Sequence, residues 1–275
     1  MDTITPKLLL IGETAVNRDG MTALLEHVGA YDFSTDAASG GEEIAEVAGR
    51  MCYLSFAPGI NPNVTRVREG NQAYIGNILK SGHGSVLEHA TVNFAILDVT
   101  PVLTHELVRH SVGTAISQTS GRFCRIEKLG FYWPKGFEMA RGAGELDDDQ
   151  IAKIEAEGVD LLNRIELFQR RLGEITGIDR IASFAIKKIL TSAFRRFAPY
   201  GLKTSLIFSA NHRAIRHIIA SRTDIHAEEE IRAFTIDLGH LMKERFPAIY
   251  QDMALTKIDA PWGCDWVWKF EHHKV

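Results

Sequence analysis

The sequence predicts an α+β fold, and three observations carry that prediction. Short or alternating apolar runs, the mark of strands, lie in the first half, at residues 7–12 and 90–98. Apolar residues at helical spacing fill the second half almost without a break, from about residue 150 to residue 246. Strands and helices do not alternate as a doubly wound parallel sheet would require, so an antiparallel sheet with helices packed around it and a helical C-terminal half is expected. No repeat and no low-complexity linker divides the chain, which gives one domain over residues 1–275.

The elements follow in order. KLLLIG (7–12) reads as a buried opening strand. GGEEIAEVAGRMCYL (40–54) and NQAYIGNILKSG (71–82) read as helices, the second stopped by Gly82. In residues 90–98, Val92, Phe94 and Ile96 face one way, giving a half-buried strand. Thr100 as N-cap and Pro101 at the first helical position start a helix that runs to about His110. Residues 111–122 read as a polar loop, residues 125–133 as a strand, and residues 142–150 as a polar connection. Helices are then expected near 150–176, 179–197, 203–222 and 226–246, followed by an aromatic tail, APWGCDWVWKF, that closes a core or packs on a neighbour.

Composition sets outer limits. With 275 residues, 45% hydrophobic and 24% charged, the chain can bury a large core. A net charge of −4 argues against a protein that coats nucleic acid. Cys52, Cys124 and Cys264 are odd in number, far apart and without a C-x-x-C pair, so a reducing compartment is expected. No run of about eighteen apolar residues occurs, and the first residues do not read as a signal peptide. The expectation is a soluble cytoplasmic protein that binds neither membrane nor nucleic acid.

Three segments carry candidate chemistry. Read as one helix, residues 205–222 place Ile207, Phe208, Ile215, Ile218 and Ile219 on an apolar stripe, with Asn211 and Arg222 inside it. A guanidinium in an apolar stripe needs partners, either a carboxylate elsewhere or a ligand. Arg213, Arg216 and His217 fall on the opposite side, which suits a helix wedged between ligands or subunits. In HELVRH (105–110), Glu106, Arg109 and His110 lie within one helical turn, and the following loop ends in Ser120-Gly121-Arg122, parts suited to gripping an oxyanion. In SGHGSVLEH (81–89), glycines flank His83 on a tight loop. His83, His89, His105 and His110 match no zinc spacing, so no metal is expected. There is no Walker loop, nucleophile elbow or G-x-G-x-x-G fingerprint, and Cys124 reads as a packed neighbour.

Together these segments resemble the flavin-dependent thymidylate synthases, the ThyX family. Its signature is Arg-His-Arg, seven residues, then Ser with a nearby Arg; here the matching stretch is HELVRH, an altered loop, then SQTSGRF. CYLSF (52–56), GHGSVLEH (82–89), FYWP (131–134) and the NHRAIRHIIASR…HAEEEIR block (211–232) match in the same order. The resemblance implies a ThyX-like fold, a homotetramer with sites shared between subunits, and reductive methylation of dUMP with FAD, methylenetetrahydrofolate and NADPH. By position, it implies that His83, Ser85, Arg109, His110, Asn211, Arg213 and His217 contact FAD. It implies that Glu106, Arg109, Gln118, Ser120, Gly121, Arg122 and Arg195 hold the nucleotide. Arg222 would sit against the uracil as the catalytic group, stabilising charge at its N3 side. Two departures stand out. Ser111 replaces the third signature cation, and eight residues rather than seven separate it from Ser120. A relative acting on another pyrimidine nucleotide, or a non-catalytic flavin- or nucleotide-binding one, therefore stays open.

Overall fold

The computed structural model describes residues 1–273. The elements in chain order are β1 (Asp2–Thr3), β2 (Lys7–Glu13), α1 (Arg18–His27), α2 (Gly40–Tyr53), α3 (Asn71–Ser81), β3 (Thr91–Val99) and α4 (Pro101–Leu107). They continue with β4 (Thr114–Gln118), β5 (Gly130–Phe131), α5 (Gly136–Gly142), α6 (Asp148–Thr176) and α7 (Phe184–Phe194). Last come β6 (Thr204–Asn211), α8 (His212–Arg222), α9 (Glu229–Arg245), β7 (Met253–Ala260) and β8 (Gly263–Phe270). Short 3-10 turns add Gly84–Glu88, Ile178–Arg180 and Arg195–Phe197.

The central sheet is antiparallel, in the order β2-β3-β6-β4. Pairing register sorts its side chains into rows. Leu10, Phe94, Phe208 and Ile116 stand in one row, and Phe94 and Phe208 are fully buried. That face carries the core, closed by Ile75, Ile78 and Leu79 of α3, Ile215, Ile218 and Ile219 of α8, and Phe234, Leu238 and Met242 of α9. Leu9, Ala95, Ile207 and Ser117 form the opposite row, where Leu9 and Ile207 are exposed. One face buried and one open is the usual state of an antiparallel sheet and explains the clean alternation of Val92, Phe94 and Ile96.

The α+β class and the antiparallel sheet match the expectation. The C-terminal half is largely helical as expected, but residues 203–222 are a strand and a helix rather than one helix, and β7 and β8 form a hairpin. Leu206, Phe208 and Ala210 are buried and alternate with half-exposed residues, while Ile215, Ile218 and Ile219 keep helical spacing. Strand becomes helix at Asn211, whose side chain caps α8 by accepting from Ala214 N at 2.8 Å. A short apolar run fits both periods, and pairing with β3 and β4 decides in favour of the strand. The same competition corrects the loop at 111–122, of which Thr114–Gln118 forms the edge strand β4 with little turned inward except Ile116. The strand expected over 125–133 shrinks to Gly130–Phe131, paired parallel with β1. β2 is an exposed edge strand rather than a buried one.

Helix boundaries hold where caps are specific. Thr100 caps α4 with Pro101 behind it, though the helix ends at Leu107 rather than His110. Gly82 ends α3 in left-handed backbone (φ 71°). The helix expected over 179–197 is Phe184–Phe194 between two 3-10 turns, and α1 was not anticipated. The aromatic tail is the β7–β8 hairpin, which buries Trp268 and Phe270 against its own chain.

Three consecutive glutamates organise the start of α9. Glu228 caps its own helix, accepting from Glu230 N and Ile231 N. Glu229 accepts from Lys135 N at 2.7 Å. Glu230, 2% exposed, accepts from Thr100 N at 2.9 Å and from the Thr100 hydroxyl, seating α4 on α9. Burial pushes its carboxyl up to about 7.

Trp268 packs where Gly239 of α9 lacks a side chain, and a Cβ there would overlap the indole ring. Gly239→Ala should therefore lower stability by about 1–3 kcal/mol, as overpacked cores do. Urea denaturation followed by circular dichroism reads this as a lower midpoint with an unchanged slope.

Candidate functional site

The first cluster forms where α4 and α8 end side by side. Arg222, the last residue of α8, donates through Nε to His110 Nε2 at 2.8 Å and through Nη1 to Glu106 Oε2 at 2.7 Å. Its Nη2 donates to the Glu106 backbone carbonyl at 3.3 Å. A guanidinium has five N–H groups, so among the described residues these three bonds leave two, one on each terminal nitrogen. The Arg222 and Glu106 side chains are 19% and 27% exposed.

This geometry fixes the state of His110. Arginine only donates, so His110 Nε2 must accept, and the ring proton sits on Nδ1. Burial, then the Arg222 charge, then His217 push the His110 pKa down to about 4, against a smaller upward pull from Glu106. The His217 ring packs edge-on to His110 at 5.4 Å. Arg109 lies at the rim, 68% exposed, with Nε 3.9 Å from Glu106 Oε1 and 3.2 Å from the His105 carbonyl it donates to. Ser111 is exposed, so the third signature position adds no charge to this cluster. The chain then turns at Gly113 (φ 71°), whose carbonyl accepts from Asn211 N at 2.9 Å. The Asn211 side chain fills the space a Cβ at Gly113 would need.

The second group surrounds a cleft of about 330 Å³ lined by Tyr53, Gly82, His83, Ser85, Val86 and Arg213, among others. The His83 ring stacks on Tyr53 at 6.2 Å with planes 25° apart. Arg213 Nη1 donates to Glu88 Oε1 at 2.5 Å. Arg213 and His217 are one turn apart on α8, so one helix serves both the cleft and the Arg222 cluster.

The third group is separate within this chain. Ser120 Oγ accepts from Arg122 N at 3.3 Å. Gly121 packs on Arg195, leaving 3.2 Å between a Cβ built there and Arg195 Cδ. Arg122 opens onto a cationic cleft of about 170 Å³ with Phe123, Arg125, Lys187 and Lys188. Gln118 Nε2 donates to Thr204 Oγ1 at 3.2 Å. Thr114 pairs with Ala210 but Gln118 with Leu206, so β4 carries this group roughly 13 Å along β6. Among the described residues, no hydrogen bond or ion pair joins Ser120, Arg122 or Arg195 to Arg222.

Two expectations about α8 change. Asn211 shares no helical face with Arg222, since it ends β6. Arg216 is not on a polar side but 2% exposed, paired with Asp252 through bonds of 2.7 and 2.9 Å. Tyr53 was missed as a site residue although CYLSF contains it; the stacking on His83 appears only in three dimensions. Among the described residues, no three His, Cys, Asp or Glu side chains converge as a metal site, and no helix is long and apolar enough to cross a membrane.

In this α+β chain one helix borders the cleft through Arg213 and ends at Arg222 in the cluster with Glu106 and His110. The family model for thymidylate synthase complementing protein matches residues 35–248, and the chain belongs to that family. It is 32% identical over 228 residues to a flavin-dependent thymidylate synthase of Mycobacterium avium (strain 104), covering 82% of this chain and 84% of that protein. The enzymes of the same name from Mycobacterium marinum (strain ATCC BAA-535 / M), 32% identical over 250 residues, and Mycobacterium tuberculosis (strain ATCC 25177 / H37Ra), 31% over 252, each cover 90% of this chain and 94% of their own length.

Burial first and the Arg222 charge second lower the His110 pKa, so Arg222→Ala should raise it part of the way toward the ordinary histidine range. Nitrogen-15 NMR of the ring should show the Nδ1–H form at pH 7 in the unchanged protein. The sign for stability follows: a histidine depressed in the folded state contributes fully above about 6.5 and loses that contribution as pH falls toward about 4.

Proposed function

We propose that this chain is a working FAD-dependent thymidylate synthase that methylates dUMP reductively to dTMP. Methylenetetrahydrofolate supplies the carbon and NADPH the reducing equivalents. The observation that carries the reading is the Arg222 guanidinium, fixed by Glu106 and neutral His110 with two N–H groups unspent. It stands on the helix that also lines the His83 cleft. Membership of the family and the relatives of that name support it.

The cleft fits a flavin. The stacked Tyr53–His83 pair offers an aromatic wall, Ser85 lies beside it, and Arg213 supplies a cation at its edge. In this reading His83, Ser85, Arg109, His110, Asn211, Arg213 and His217 hold FAD, which when bound supplies the hydride. The chain's own residues do the rest. Ser120, Gly121, Arg122, Arg195 and Gln118 grip the nucleotide with Glu106 and Arg109, and the arginines take the phosphate. Arg222 points its free N–H groups at the N3 side of the pyrimidine and stabilises negative charge as it develops. A guanidinium already held in place does this without reorganising.

The fold is ThyX-like, one domain working in the cytoplasm, and the site is shared between the subunits of a homotetramer. The distance of the Ser120–Arg122 group from Arg222 supports sharing. So does exposed apolar surface at Leu9, Ile11 and Ile207 on the open sheet face and at Phe184 and Ile189 on α7. Ser111, turned to solvent with no cation, favours a second reading in which another pyrimidine nucleotide is the substrate.

The visible spectrum of the protein with FAD, titrated with dUMP, separates these readings. A flavin spectrum that shifts saturably with dUMP supports the first. A flavin spectrum indifferent to dUMP but shifted by a cytidine or hydroxylated uridine phosphate supports the second. Arg222→Lys should lower release of the C5 hydrogen of dUMP about 100-fold, the scale set by removing one preorganised donor, with FAD still bound. Ser111→Arg should tighten FAD binding; unchanged affinity would put position 111 out of the cofactor's reach.

A further inference from the structure

We propose that the C-terminal hairpin is a clamp that sets the position of Arg222, with Thr223 as its positioning residue. The inference rests on the reading of Arg222 as the group that faces the pyrimidine. The matched family segment ends at residue 248, and the hairpin begins at Met253.

The clamp grips α8 at two points. At the first, the buried Arg216 donates to both Asp252 carboxylate oxygens and to the Ile249 carbonyl at 2.8 Å. Its guanidinium also lies 4.5 Å from the centre of the Phe270 ring. Asp252 accepts as well from His272 N at 3.2 Å, so one carboxylate ties α8 to both ends of the hairpin. At the second, Thr223 is fully buried. Its hydroxyl donates to Ile219 O at 2.8 Å and accepts from Trp268 N at 3.2 Å, joining the last turn of α8 to β8. Arg216 and Thr223 are seven residues apart, about 20° short of two full turns, so both grips fall on one face. The hairpin itself is seated on α9 by Trp268 Nε1, which donates to Ile236 O at 3.1 Å.

Helix ends fray unless their last groups are held. Arg222 is the residue before Thr223, and its side chain must reach Glu106 and His110 on another element. Loosening the last turn moves the guanidinium relative to α4, and displacements of about 1 Å at a reacting centre cost up to about 100-fold in rate. The hairpin thus acts on the pyrimidine side of the site while leaving the His83 cleft, at the other end of α8, untouched.

Thr223→Val keeps the shape and removes only the hydroxyl. The full chain carrying it should release the C5 hydrogen of dUMP about tenfold more slowly in kcat, one hydrogen bond's worth, with FAD affinity unchanged. Thr223→Ser should restore kcat to within about twofold. Amide exchange should quicken at residues 220–223 but not at residues 212–218. Asp252→Asn, which weakens the other grip, should give the same split between kcat and FAD affinity and serves if Thr223→Val does not fold. Normal kcat in both variants, with Arg222→Lys impaired, overturns the clamp and leaves the functional reading standing. Normal kcat in all three overturns the role of Arg222 and the clamp with it.

Discussion

The structure turns on one constraint, a guanidinium four-fifths withdrawn from water at the end of a short helix. Such a charge is tolerated only where hydrogen bonds replace the water it has lost. Glu106 supplies a carboxylate and a carbonyl, and His110 supplies a lone pair it can offer only while neutral. Meeting that demand fixes where α4 must end relative to α8. α4 is in turn held at its start by Glu230, and α8 by Asp252 and Trp268. The sheet below provides the rigid floor, since β3 leads into α4 and β6 into α8 from adjacent strands.

The electrostatics explain why two cations and two imidazoles can share this corner. His110 gives up its proton because burial and Arg222 both oppose a second positive charge. A neutral ring then accepts from Arg222 and leaves Glu106 to balance the full arginine charge. His212, buried at the other end of the helix beside Tyr250, is also kept neutral, with its pKa pushed down to about 3 by burial and then by Arg216.

How much of this could be read from the sequence depends on whether the signal was local. Thr100-Pro101, Gly82 and the alternation through Val92, Phe94 and Ile96 are local chemistry, and the structure follows them. Residues 204–211 were misread because the three-residue apolar run Leu206-Ile207-Phe208 is too short to fix a period, and the neighbouring strands that decide it lie far away in sequence. Arg222 was identified as an arginine needing partners, but Glu106 and His110 could be paired with it only through the fold. The reading of Arg216 as part of a polar side facing ligands or subunits missed Asp252, thirty-six residues on, because a buried ion pair looks like any two charges until the helix is placed.

The run Glu228-Glu229-Glu230 looks like a solvated acidic patch, yet each member answers to a different part of the molecule: its own helix, the turn at Lys135 and the cap of α4. Three identical side chains in sequence are therefore not spares for one another. Sliding the run by one position would leave its composition and charge unchanged while misaddressing all three attachments. In this segment identity is carried by address rather than by letter, so a one-residue deletion that preserves two of the glutamates is a more drastic change than its composition suggests.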